Sequence, residues 1–223
     1  VINPSEAFGT LLKDFARQRL YTAIPAVVEA VNDFGKDQTV DVRPVITRVY
    51  DDGVIQQPGI VAGVPVVYPS GGGGMLSFPI ERGDTVLVVY SMRSIDDWLE
   101  SSGGAITQIP TTNRHHNPTD AIAIPGLYTK KSNLSPNTKD VELKFNNLSF
   151  RLEKSSGDMV LENPSHSLKL KADGSVLHSS GAQITAEGDF ITATGVSLNL
   201  HVHAQANDSD NNVQVPTFPP TVI

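Results

Sequence analysis

The sequence predicts a mainly β protein: an N-terminal helix, a small barrel and a C-terminal array of short strands. Three observations carry this. Residues 21–91 break into short β-branched runs separated by Asp, Gly and Pro. From Asp140 onward, apolar and polar residues alternate as in strands with one buried face. Gly174, Gly181, Gly188 and Gly195 then fall seven residues apart.

The helix comes first. Asn3-Pro4-Ser5-Glu6 places a capping residue before a proline suited to the first helical position, with a carboxylate three residues after the cap. Phe8, Leu11, Leu12 and Phe15 recur at helical spacing. This stripe packs either on its own domain or on a partner subunit. The spacing leaves both open.

The runs AIPAVVEAV, TVDVRPVIT, GIVAGVPVVY and DTVLVVY follow. Their number and length suit a Greek-key barrel of the OB type over residues 21–110. Gly71–Gly74 lack the Lys-Ser/Thr and helix of a phosphate loop, so a hairpin tip is expected. Residues 111–139 read as a connecting segment with an apolar anchor from Ala121 to Leu127. Its adjacent His115 and His116 would point to opposite faces of a strand, so joint chelation is not expected. Asp96, Asp97 and Asp120 are grouped by sequence with no base or nucleophile, and no catalytic activity is expected.

Residues 140–200 form the repetitive part. The units GSVLHSS, GAQITAE, GDFITAT and GVSLNLH each carry an aliphatic residue at their fourth place: Leu177, Ile184, Ile191 and Leu198. A glycine in every unit makes a coiled coil untenable, whereas short strands with glycine corners fit a β-solenoid needle. One strand per unit cannot bury an apolar face alone, so the aliphatic set is expected to form the core between chains.

Residues 201–223 are the tip. His201 and His203 stand two apart and share a face if extended. Strict alternation opposes them to Val196, Leu198, Leu200 and Val202, so the chain must twist or bulge there. Asp189 has no evident role in a narrow needle. Phe218, among Pro216, Pro219 and Pro220, is expected to plug the apex.

Composition narrows the function. A net charge of −7 argues against a nucleic-acid partner. With no cysteine, disulfides and thiolate metal sites are excluded. No apolar run reaches the ~20 residues that a membrane-spanning helix needs, and no signal peptide is recognised. A soluble protein made in a reducing cytoplasm is expected.

The block VPVVYPSGGGGMLSFPIERGDTVLVVYSMRSIDDWLESSGG, followed by RHHNPTDAIAIPG, resembles the N-terminal region of membrane-piercing central spike proteins of contractile-tailed bacteriophages. SxRSIDxWL and DAIAIPG are its specific parts, and the resemblance covers most of residues 20–128. It implies a homotrimer: an OB-like barrel carrying an intertwined trimeric β-helix, a triangular prism with a metal-bound tip. It implies one octahedral six-histidine iron per trimer, here from His201 and His203 of each chain, a choice that six-coordination also favours over zinc. It further implies docking on a baseplate hub through the N-terminal domain and puncture of the bacterial outer membrane without integral insertion. The expected place is the virion tail tip, after assembly in the host cytoplasm. Two other readings stand beside it: a non-haem metalloenzyme using the His-x-His pair, and the spike of a related contractile secretion apparatus.

Overall fold

The computed structural model describes residues 3–32, 35–50, 52–101, 107–132, 134–203, 206–207 and 209–213; for residues 14–19 it describes the backbone alone. The chain divides into two compact units, Val1–Leu134 and Ser135–Ile223.

In the first unit, helix α1 (Pro4–Arg19) begins as its sequence dictates. Asn3 Oδ1 accepts the Ser5 N–H at 3.1 Å, relieving one of the amides that the first turn leaves without a partner. Phe8, Leu11 and Leu12 are exposed, so these residues of the stripe are not packed on the barrel of their own chain.

The barrel strands are β1 (Ala23–Val31), β2 (Thr39–Pro44), β3 (Val61–Pro65), β4 (Thr85–Tyr90) and β5 (Ala121–Pro125). They are hydrogen-bonded in the order β3-β2-β1-β4-β5. A parallel bridge from Val66, just after β3, to Ala123 on β5 joins the two edges, and the Val67 N–H donates to the Ala123 carbonyl at 3.0 Å. The resulting cycle, 1-2-3-5-4-1, is that of an OB-like barrel. Alternation puts Val28, Val40, Val42, Val64, Val86 and Val88 inside, all essentially inaccessible to solvent. The fifth strand comes from the segment read as a connector, so the barrel extends beyond residue 110. AIAIP is too short and too closely bounded by Asp and Gly to stand out as a strand until its pairing with β4 is seen. The four glycines form a hairpin tip, with Gly72 and Gly73 both at positive φ as a tight two-residue turn requires.

The two sequence blocks that carry the resemblance meet at one ion cluster. Asp120, wholly buried, receives Arg114 Nε at 3.1 Å and Nη2 at 2.8 Å, and also the Ile95 N–H at 3.2 Å. The same Nη2 reaches Asp96 at 2.6 Å and Ser94 Oγ at 3.0 Å. Arg114 thus ties the short helix α2 (Asp96–Leu99) to the start of β5. The Arg114 hydrogen bonds hold the Asp120 carboxyl below its ordinary range, against the opposing effect of burial.

The second unit is one antiparallel meander: β6 (Val141–Phe145), β7 (Leu148–Leu152), β8 (Met159–Glu162), β9 (Ser167–Leu170), β10 (Val176–His178), β11 (Gln183–Ile184) and β12 (Phe190–Ile191), each paired with its sequence neighbours. The strands shorten from five residues to two. A solenoid rung was expected from the glycine repeat, but within one chain each unit is a strand plus a hairpin turn. Three residues ending in glycine reverse the chain: Thr185 N–H donates to the Asp189 carbonyl and Gly188 N–H to the Thr185 carbonyl, 2.9 and 3.0 Å. The bonds recur at Lys171, His178 and Thr192. Gly174, Gly181, Gly188 and Gly195 all take φ between 85° and 93°, where a Cβ is strained.

The cluster at Asp120 yields a prediction. A carboxylate with a depressed folded-state pKa contributes stability above its unfolded value, and that contribution vanishes as pH falls through the folded value. Arg114→Met should therefore destabilise the barrel by about 3 kcal/mol at pH 7, as expected for a buried charge deprived of its partner. The gap from wild type should shrink well below pH ~4, the ordinary Asp range. Urea unfolding followed through Trp98 fluorescence at pH 7 and pH 3 measures both; an equal gap at the two values refutes the role assigned to Asp120.

Candidate functional site: an open apolar face and a histidine tip

In a meander, residues directly opposite one another share a face. Val141, Leu152, Met159, Leu170, Val176, Ile184 and Phe190 form one unbroken row across all seven strands. A second row beside it runs Leu143, Phe150, Leu161, Leu168 and His178. The whole face is apolar but for its last member. It is also open: Val176 and His178 are half-buried, and the other members run from 37% exposed at Phe150 to 70% at Val141. A face of this size left in water is the mark of an interaction surface.

The reverse face is finished. Glu142, Arg151, Val160, Lys169, Leu177, Gln183, Ile191 and Ser197 make its central row. Arg151 pairs with Glu162 at 3.2 Å and Glu153 at 3.4 Å; Lys169 pairs with Glu153 at 3.1 Å and Asp158 at 3.4 Å. Between them Val160 is only 3% exposed, flanked by the aliphatic stems of Arg151 and Lys169. One side of this sheet faces water by design and the other does not.

The four aliphatic residues of the repeat are divided between these faces. Ile184 and Leu198 lie on the apolar side, Leu198 bonding through its N–H to the Phe190 carbonyl at 2.8 Å. Leu177 and Ile191 lie on the charged side. The glycine period is seven, but antiparallel strands return to the same face only after fourteen residues, by steps such as Val176 to Ile184 to Phe190 to Leu198.

At the end of the meander the chain leaves the strand conformation, and this brings the tip histidines together. The rings of His201 and His203 stand perpendicular, centroids 5.0 Å apart. His201 Nδ1 lies 2.9 Å from both the Ser197 and the Leu198 carbonyl oxygens. Carbonyls only accept, so Nδ1 carries the proton and the neutral ring keeps its lone pair on Nε2, the form that binds a metal. Asp189, without a role in the sequence reading, holds this turn. Its Oδ2 accepts the Ser197 hydroxyl at 2.6 Å and its Oδ1 the Asn199 N–H at 3.2 Å. The Ser197 bond is the main cause that keeps its pKa below the ordinary value.

Imidazole nitrogens are donors that suit a transition metal. One chain offers two imidazoles, and among the described residues no group of three His, Cys, Asp or Glu comes together. Two imidazoles alone do not fill the shell of a transition metal. Phe218 and the prolines around it lie outside the described residues. His115 and His116 are used locally, bonding Asn113 Oδ1 at 3.0 Å and the Tyr21 carbonyl at 3.1 Å. Among the described residues no helix is long and apolar enough to cross a membrane.

Residues 24–126 match the family model of the phage protein Gp138 N-terminal domain. The match spans the barrel from β1 to the end of β5 and includes both sides of the Arg114 cluster. It supports a phage structural protein of the baseplate or spike type, a component of the virion. No curated protein matches the chain.

If Asp189 organises the tip, Asp189→Ala should speed hydrogen exchange at the Asn199 and His201 amides roughly tenfold, the loss expected for hydrogen bonds to a charged group. In the wild type the same loosening should set in as pH falls through the depressed Asp189 pKa, below about 4. Exchange rates unchanged in the variant would remove Asp189 from the account.

Proposed function

We propose that the protein is a homotrimeric spike at the tip of a contractile phage tail, which punctures the host outer membrane when the tail contracts. The observation that carries this reading is the open apolar face of the meander. Three chains set around an axis would turn these faces inward, form a closed triangular prism and leave the charged rows outside. The narrowing from five-residue to two-residue strands supports a needle tapering to a point. Closure would also protect sheet edges that otherwise recruit further strands.

At the apex, His201 and His203 of three chains would supply six imidazole nitrogens, a set suited to octahedral iron. A bound ion there supplies a crosslink between three chain ends that otherwise fray. The barrel and α1 would dock on the baseplate hub, for which the exposed Phe8, Leu11 and Leu12 provide an apolar surface. The work is mechanical: rigidity comes from burial between chains, and no step requires a catalytic group.

Sedimentation of the purified protein should give three times the mass of one chain. Ile184→Asp, which sets an unpaired charge on the inward face of every chain, should abolish the trimer or leave residues 140–223 protease-sensitive. A protease-resistant monomer of the native sequence would overturn the reading.

Metal analysis provides a separate test. One transition-metal ion, iron above all, is expected per three chains. His201→Ala and His203→Ala should each remove it while leaving the barrel folded. One metal per chain would favour the metalloenzyme instead.

A further inference from the structure

A second histidine pair lies away from the tip. His178 ends both β10 and the apolar row Leu143, Phe150, Leu161, Leu168. His166 stacks against it from the turn between β8 and β9, centroids 5.2 Å apart and planes tilted by 31°. The Ser180 backbone N–H donates to His178 Nδ1 at 3.1 Å, and the Ser180 hydroxyl lies 2.7 Å from the same nitrogen. An amide N–H only donates, so Nδ1 is an acceptor and the neutral ring carries its proton on Nε2. This tautomer is the opposite of that in His201. The ring fastens the turn that follows it, in which the His178 N–H donates to the Ala182 carbonyl at 2.8 Å and the Gly181 N–H to the His178 carbonyl at 2.9 Å. Beyond that turn, β11 is two residues long and pairs with β10 and β12.

We infer that His178 is an acid-sensitive catch, whose protonation opens the turn between β10 and β11 and loosens the strands beyond it. A second proton can enter the ring at Nδ1 alone. There it displaces the Ser180 amide, which loses its acceptor, and leaves the hydroxyl to receive the new N–H. Nothing around the ring balances the charge. Leu168 stands directly opposite on β9, and β11 brings Gln183 and Ile184. From β6 and β7, Leu143 and Phe150 line the same depression in the face. Glu162 of β8 borders it too, but its carboxylate pairs with Arg151 at 3.2 Å. The nearest titratable group is His166, exposed to solvent, and once charged it repels a second cation 5.2 Å away. A ring held neutral by the fold binds fewer protons than it does in the open chain. Its contribution to stability is therefore complete above the ordinary imidazole range, near about pH 6.5, and is lost as pH falls below it. This window lies well above the carboxylate range in which Asp120 and Asp189 act. The catch belongs to one chain and does not depend on the trimeric reading. Closure of the apolar face would strengthen it by removing the ring further from water.

Hydrogen exchange of the full chain, read by mass spectrometry on peptides spanning 176–184 and expressed relative to the intrinsic rate at each pH, tests the catch. Protection there should fall by about tenfold per pH unit once pH drops below about 6.5, the slope for one proton taken up on opening. Protection of barrel strand β2 should stay constant over the same range. His178→Asn cannot titrate but keeps an acceptor two residues before the Ser180 amide, as Asn163 does for the Ser165 amide at 2.8 Å. It should hold the turn equally at neutral and at acid pH; if it does not fold, His178→Gln takes its place with the same expectation. Wild-type protection that is constant with pH overturns the catch, and so does an equal acid loss in the variant. A wild-type acid loss that His201→Ala reproduces at neutral pH also overturns it, because the loosening would then spread from the tip.

Discussion

Everything in the C-terminal half follows from a single-layer sheet with two unlike faces. A two-layered domain buries its apolar surface within the chain; the barrel does so, with valines from every side meeting in its centre. The meander has only one layer. Its charged face is completed within the chain by the Arg151 and Lys169 ion pairs, so the open face is not the residue of an incomplete sheet. An open apolar face of this kind has the character of an interaction surface. The glycine turns serve this end, because they keep each strand short and the sheet narrow while adding little bulk at its margins.

Legibility in the sequence followed the range of the interactions. Features set by neighbours in the chain were readable: the Asn3 cap, the glycine hairpin tip, the barrel runs and the alternation after Asp140. Features set by pairing were not. β5 was hidden because five residues bounded by turn formers show too little periodicity, and only its bonds to β4 and to Val66 make it a barrel strand. The glycine period was visible, but its meaning depended on whether successive strands run parallel or antiparallel. That choice lies in the three-residue turn and not in the aliphatic positions, so Leu177, Ile184, Ile191 and Leu198 looked like one set and are two.

Asp120 and Asp189 make the same point for the polar residues. Each stood alone in the sequence. Asp120 answers Arg114 six residues earlier, and Asp189 answers Ser197 eight residues later. Each partnership is made by a turn that brings the two residues back together, so neither could be read from periodicity. His201 and His178 differ in a way that composition also conceals. His201 Nδ1 faces the Ser197 and Leu198 carbonyls, whereas His178 Nδ1 accepts the Ser180 backbone N–H, so local turns set chemically identical rings in opposite tautomers.

The fourteen-residue face repeat bears on how such a sheet can change in length. Adding one seven-residue unit would extend the sheet by a strand, yet every residue beyond it would exchange faces, bringing charged positions onto the apolar face and presenting the tip on the other side. Adding two units restores the pattern. Growth and shortening by recombination are thus restricted to paired hairpins, and lengths that differ by an odd number of units are separated by a folding barrier that no single point substitution can cross.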